Sequence, residues 1–236
     1  MLAYYYGYYD PTYFLVIIAA IIALIAQAKV SSSYNKYSKL STYAGMTGSM
    51  VAERILRANG IYDVSIECVS GKLTDHYDPA RKVLRLSSSV YNDSSIASVA
   101  VAAHECGHAI QHARQYSPLT IRSTIAPIAS ISSSVSWILI LLGLFINGQS
   151  GMALLNIGII VFTVVVAFQL ITLPVEFNAS KRALVILEND RFLQEEELKG
   201  AKKMLSAAAL TYVAAAATAI LQLLRLIIIS GGRDRD

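Results

Sequence analysis

The sequence predicts a mainly α-helical membrane protein, with four transmembrane helices and one small α+β domain facing water. Three observations carry this. Charged residues make up 15% of the 236-residue chain, against roughly 25% in an ordinary soluble domain. The deficit is concentrated: residues 12–28, 125–146, 152–173 and 207–229 together hold 84 residues and a single charge, Arg225. Each stretch is near the ~20 residues that a helix needs to cross a bilayer. The remaining 152 residues carry 35 charges, a density normal for soluble protein. Residues 29–122 are the longest such part and suffice for one modest core. A hydrophobic content of 55% excludes a disordered chain.

The elements follow in order. Residues 1–11 are a tail in which Tyr4, Tyr5, Tyr6, Tyr8 and Tyr9 suit an interfacial aromatic belt. Residues 12–28 form the first span. A cleaved signal peptide would want basic residues ahead of its apolar run, and none precedes Lys29. The run from Ser31 to Lys36 is polar and reads as a linker or helix start. From Thr47 to Gly60 the pattern predicts a helix with Met50, Ile55 and Leu56 on its apolar face and Asn59-Gly60 as its stop. Val64, Ile66 and Cys68 alternate with polar residues, which predicts a strand. A loop spans residues 71–79, and Val83-Leu84-Arg85-Leu86 makes a second short strand. Asn92 to Ser95 supply capping residues for a helix that starts near Ser94 or Ser95. Spans 125–146 and 152–173 are joined by the polar turn from Asn147 to Gly151 and form a hairpin. Residues 174–206 are a helical segment, with Pro174 at a break or in a first helical turn. Residues 207–229 make a fourth span or a membrane-associated helix, because Gln222 and Arg225 lie within it. Residues 230–236 are a tail.

Basic residues set the orientation. None lies before the first span or in the turn between the second and third. Lys29, Lys36 and Lys39 follow the first, and Lys181, Arg182, Arg191, Lys199, Lys202 and Lys203 follow the third. The chain is thus expected to be a multi-pass plasma-membrane protein with its N-terminus outside and both larger polar segments on the cytoplasmic side. Its net charge of +4 then answers to anionic lipid headgroups rather than to nucleic acid. Cys68 and Cys106 stand in no metal or redox spacing.

The capped helix carries the chemistry. His104 and His108 are four residues apart and project from one helix face, where both imidazoles can grip one metal ion. Glu105 is placed to act as a general base on a water in an open coordination position, the HExxH arrangement of zinc hydrolases. Such a site wants three protein ligands. His112 lies ~12 Å of helical rise from His104, too far to share the ion. Glu176 is the better third ligand, since two spans separate it from the histidines and return it to the same membrane side. Ala179, Ser180 and Ala183 line its helix face with small residues, which would admit Gly107 and Ala103 closely. His76 and Arg182 are candidate oxyanion or substrate contacts. Val83, Leu84, Arg85 and Leu86 are expected at a sheet edge, where an extended peptide could bind by strand addition. An intramembrane site is disfavoured because the apolar run before the motif, residues 96–103, is only eight long. Transport is disfavoured because Arg225 alone makes a poor ion path. A catalytically inactive zinc-binding scaffold or chaperone would have no need of Glu105.

His104-Glu105-Cys106-Gly107-His108 with Gln111, and the segment from Pro174 to Ala183, resemble the YugP-like membrane neutral zinc metallopeptidases of bacteria. The loop from Leu73 to Pro79 and the strand from Leu84 to Ser87 are similar too, and the resemblance covers nearly the whole chain. It implies a gluzincin-type, zincin-like catalytic domain, one Zn2+ per chain on two histidines and one glutamate, and peptide or protein substrates. More distantly, the pattern is similar to the CAAX-prenyl endopeptidases. Those carry an acidic residue four positions after the ligand glutamate; here that position is Ser180. The partner that orients the histidines must therefore come from elsewhere.

Overall fold

The computed structural model describes residues 12–233; the expected tyrosine belt at Tyr4 to Tyr9 lies outside them. In chain order the elements are α1 (Tyr13–Tyr37), α2 (Gly48–Ala58), β1 (Ser65–Val69), β2 (His76–Asp78), β3 (Val83–Ser87), α3 (Ser88–Tyr91), α4 (Ile96–Ala113), α5 (Ser117–Phe145), α6 (Gln149–Asn189) and α7 (Glu195–Arg233). Helices α1, α5, α6 and α7 are each long and apolar enough to cross a membrane. The chain divides into two compact units. One takes in residues 12–25, 124–170 and 214–233 of those described; the other is Ala26–Ser123 with Ile171–Val213.

In the first unit, Ile140, Leu155, Ile159, Phe162 and Leu226 make a small buried cluster. Much of the apolar surface instead faces outward, with Ile131, Ile138, Phe145 and Ile160 all exposed. Lipid is the solvent that makes such a surface stable. The turn between α5 and α6 passes through Gly148 at φ +82, a conformation that glycine adopts without a Cβ penalty. Arg225 is stationed over the Tyr13 ring, 4.7 Å from its centroid, so this in-span charge has a π face to rest on.

The second unit holds a single large core centred on α4. Helix α2 begins at the Thr47 cap, whose hydroxyl accepts from the Met50 amide at 3.3 Å, and it stops at Asn59. Its buried face is Val51, Ala52, Ile55 and Leu56, while Met50 is exposed. Position 50 falls off the stripe because 51, 52, 55 and 56 already complete one helix face. The segment from Ser31 to Lys36 is no linker: α1 continues through it to Tyr37, and Tyr34 and Tyr37 pay into the same core.

The sheet corrects two expectations. The loop 71–79 contains a strand, β2, and the strand order is β1-β3-β2. Val83, Leu84, Arg85 and Leu86 are therefore central rather than at an edge. β1 pairs with them in parallel and β2 antiparallel. Leu84 and Leu86 are fully buried, and the backbone hydrogen-bonding groups of β3 are used on both sides, so no peptide can add there. Val83 to Leu86 do form a strand, as expected, but β2 is only three residues long and carries no periodic signal. Pro174 also departs from expectation. It lies inside α6, which runs unbroken for 41 residues; membrane helices tolerate an interior proline where neighbouring groups take up the freed carbonyl.

Candidate metal centre

Helix α4 starts at Ser95, whose Oγ accepts from the Ser98 amide at 3.2 Å. It then runs through the core with nearly every residue buried. Its small residues allow this: Ala97, Ala100, Ala102, Ala103 and Ala109 are all essentially inaccessible. A Cβ placed on Gly107 would lie 2.7 Å from the Ala179 carbonyl oxygen. The α4 and α6 backbones thus meet at a point where only glycine fits, with Ala179 and Ala183 fully buried beside it.

That approach brings three ligand-type groups together. His104, His108 and Glu176 offer donor atoms that all lie within 4.8 Å of one another. Glu176 Oε2 is 3.3 Å from His104 Nε2 and 3.5 Å from His108 Nε2. It is buried and makes no aligned hydrogen bond. Tetrahedral ligands at the usual Zn–N and Zn–O lengths stand about 3.4 Å apart, so the spacing and the orphaned carboxylate oxygen fit a zinc ion. The other oxygen, Oε1, is engaged by Arg122 at 3.1 Å. One oxygen of Glu176 is thereby neutralised and the other left for a cation.

The histidines are oriented by neutral groups. His108 Nδ1 lies 3.0 Å from Gln111 Oε1. The fully buried Gln111 amide nitrogen donates to the Val175 carbonyl at 2.8 Å and to Asn178 Oδ1 at 3.0 Å. A carbonyl only accepts, so the amide must point its nitrogen at Val175 and its oxygen at His108. His108 then carries its proton on Nδ1 and presents the Nε2 lone pair to the cluster. His104 Nδ1 meets Ser180 Oγ at 3.1 Å. The position that is acidic in the prenyl endopeptidases thus still touches a histidine, through a hydroxyl. Burial alone would drive His108 toward its neutral form; the Glu176 and Glu105 carboxylates outweigh that and hold its pKa above the ordinary value.

Glu105 is buried next to the histidines, and its charge acts on His108 and on Tyr212 of α7. The Tyr212 hydroxyl also stands close enough to Glu176 to interact with its carboxylate. Other expected contributors sit elsewhere. His112 Nδ1 pairs with the Tyr77 hydroxyl at 2.8 Å, and burial with the Asp63 and Asp78 charges pushes that phenol up to about 12. His76 belongs to the sheet, its Nδ1 at 2.8 Å from the Thr74 carbonyl and its Nε2 facing Arg85. Arg182 donates to Asn178 Oδ1 at 2.7 Å and so supports the Gln111 network from behind. Cys106 is a core residue, its thiol pushed well up by burial. Sequence reading missed Arg122 and Tyr212. Arg122 looked like an ordinary basic flank of a span, and Tyr212 lies 36 residues beyond Glu176 with no motif around it.

The family described as "Putative neutral zinc metallopeptidase" matches residues 12–231. The "Putative membrane protease YugP" of Bacillus subtilis (strain 168) is 48% identical over 224 residues, which cover 94% of this chain and 98% of that protein. No solved structure matches the chain. With a two-histidine, one-glutamate cluster and a match that runs from α1 to α7, the chain belongs to this family of neutral zinc metallopeptidases.

Proposed function

We propose that the protein is a membrane-embedded, zinc-dependent endopeptidase of the gluzincin type, holding one zinc per chain on His104, His108 and Glu176. The observation that carries the reading is the buried Glu176 Oε2 lying 3.3 and 3.5 Å from two imidazole Nε2 atoms. Bound there, zinc would supply Lewis acidity and lower the pKa of a water toward ~7. Glu105 is placed to take a proton from a water attacking a peptide carbonyl and to return it to the leaving amine nitrogen. Gln111 and Ser180 keep the two imidazoles turned with Nε2 inward. Tyr212, beside both Glu105 and Glu176, is placed to donate a hydrogen bond to the developing oxyanion, the role the sequence suggests for His76 or Arg182. The packing of α4 on β2 and β3 supports a zincin-like catalytic domain. The basic residues after the first and third spans support a cytoplasmic active site in the plasma membrane.

The test is hydrolysis of casein by detergent-purified protein, with zinc measured per chain. Glu105→Gln is expected to lower the rate by about 10²- to 10⁴-fold with zinc retained, and Tyr212→Phe by about 10²- to 10³-fold. Full activity in the Glu105 variant would remove Glu105 as the base, and no hydrolysis by zinc-loaded wild type would overturn the peptidase reading in favour of a catalytically inactive zinc-binding scaffold or chaperone.

A further inference from the structure

We infer that the protein has a binding site for the headgroup of an anionic phospholipid, built by α1 and α7 away from the metal ligands. A cavity of about 560 Å³ is lined by Lys29, Ser33, Lys199, Lys202, Lys203 and Ser206, with Ala207 and Leu210 as its apolar margin. The periodicity explains the convergence. Lys29 and Ser33 are four apart on α1, and Lys199, Lys202, Lys203, Ser206 and Leu210 share one face of α7. Two helix faces therefore bring four ammonium groups and two hydroxyls to one groove.

The charges there are only partly balanced by protein. Lys199 pairs with Glu195 at 3.1 Å and Glu196 at 2.7 Å, and the Lys203 charge also acts on Glu196. Lys29, Lys202 and Lys203 make no ion pair or side-chain hydrogen bond among the described residues. Four cations against two carboxylates leave the groove net positive, and a bound phosphate offsets their mutual repulsion. Position selects the source of the phosphate. Lys29 directly follows the apolar run 12–28, and Ala207 opens the apolar run 207–229. The groove thus falls where both apolar runs give way to polar sequence, the level at which a bilayer presents its phosphates. The exposed Leu210 continues the groove toward apolar surface, which suits a ligand with an acyl chain and offers nothing to a free ion. Basic residues near an anionic membrane surface each add to the attraction, and their convergence on one cavity makes it local.

The experiment titrates the full-length protein in neutral detergent with dioleoylphosphatidylglycerol, dioleoylphosphatidylcholine or inorganic phosphate, counting bound lipid by native mass spectrometry. Three proteins are compared: wild type, the triple variant Lys29→Gln, Lys202→Gln, Lys203→Gln, and a control carrying Lys39→Gln, Lys72→Gln, Lys181→Gln. Wild type and control are expected to bind phosphatidylglycerol at least tenfold more tightly than phosphatidylcholine, and the triple variant to lose that preference. Inorganic phosphate at the same concentration is expected not to displace the lipid. Equal binding of the two lipids, an equal loss in the control, or displacement by phosphate would each overturn the inference. Casein hydrolysis reports separately on folding and on the peptidase reading, since none of the three lysines lies in the metal cluster.

Discussion

Helices α4 and α6 both bring ligand-type groups to the same cluster, yet they are built in opposite ways. α4 is 18 residues long, capped at Ser95 and buried almost throughout; its two histidines are adjacent on one face by helical periodicity alone. α6 is 41 residues long, carries an interior proline, and brings a single carboxylate. The histidines are steadied by neutral partners, Gln111 and Ser180. Glu176 is steadied by a cation, Arg122. Two of the proposed ligands are therefore a local property of one helix, whereas the third is positioned only by tertiary contacts: the Gly107–Ala179 approach, the Gln111 bracket and the Arg122 ion pair.

Breaking the charged contact should have the largest effect on stability. Arg122→Gln leaves Glu176, 2% exposed, without its cation and is expected to destabilise the metal-free protein by about 3 kcal/mol, the low end for a buried pair because the guanidinium is partly exposed. The shortfall should shrink when zinc is added, and thermal unfolding with and without metal checks both. The neutral contacts come next. Gln111→Leu removes the acceptor for His108 and both bonds to the α6 backbone and Asn178. It is expected to weaken zinc binding by about 10- to 100-fold. Ser180→Ala, which removes one bond to the less buried histidine, should cost less than Gln111→Leu. Competition with a chelator of known affinity ranks the two, and the reverse order would refute the bracket. Gly107→Ala tests the helix approach itself. Its Cβ would meet Ala179 backbone at 2.7 Å, and such overpacking costs ~1–3 kcal/mol, with a lower unfolding midpoint and zinc still bound at saturating metal.

The same contrast explains what could be read in advance. The four apolar runs, the stop at Asn59-Gly60, the cap at Ser95, and the spacing of His104 and His108 are local signals, and each sits on the element its pattern predicts. Glu176 was reachable because counting spans is also local. Strand order was not. Nothing in Val83-Leu84-Arg85-Leu86 distinguishes a central strand from an edge until the three-residue β2 is seen to cover it. Nor could Pro174 reveal that α6 continues, since the groups that take up the freed carbonyl are distant in sequence. Arg122 and Tyr212 reach the cluster only through the packing of α5 and α7, and a lone basic or aromatic residue near a span carries no sign of that.

If α4 and α6 jointly hold one metal ion, the metal content of the purified protein depends on both helices. Wild-type protein and Glu105→Gln, purified in detergent and dialysed against trace zinc, are expected to carry one zinc per chain, and Glu176→Ala to carry close to none. A full equivalent of zinc retained by Glu176→Ala would contradict the account.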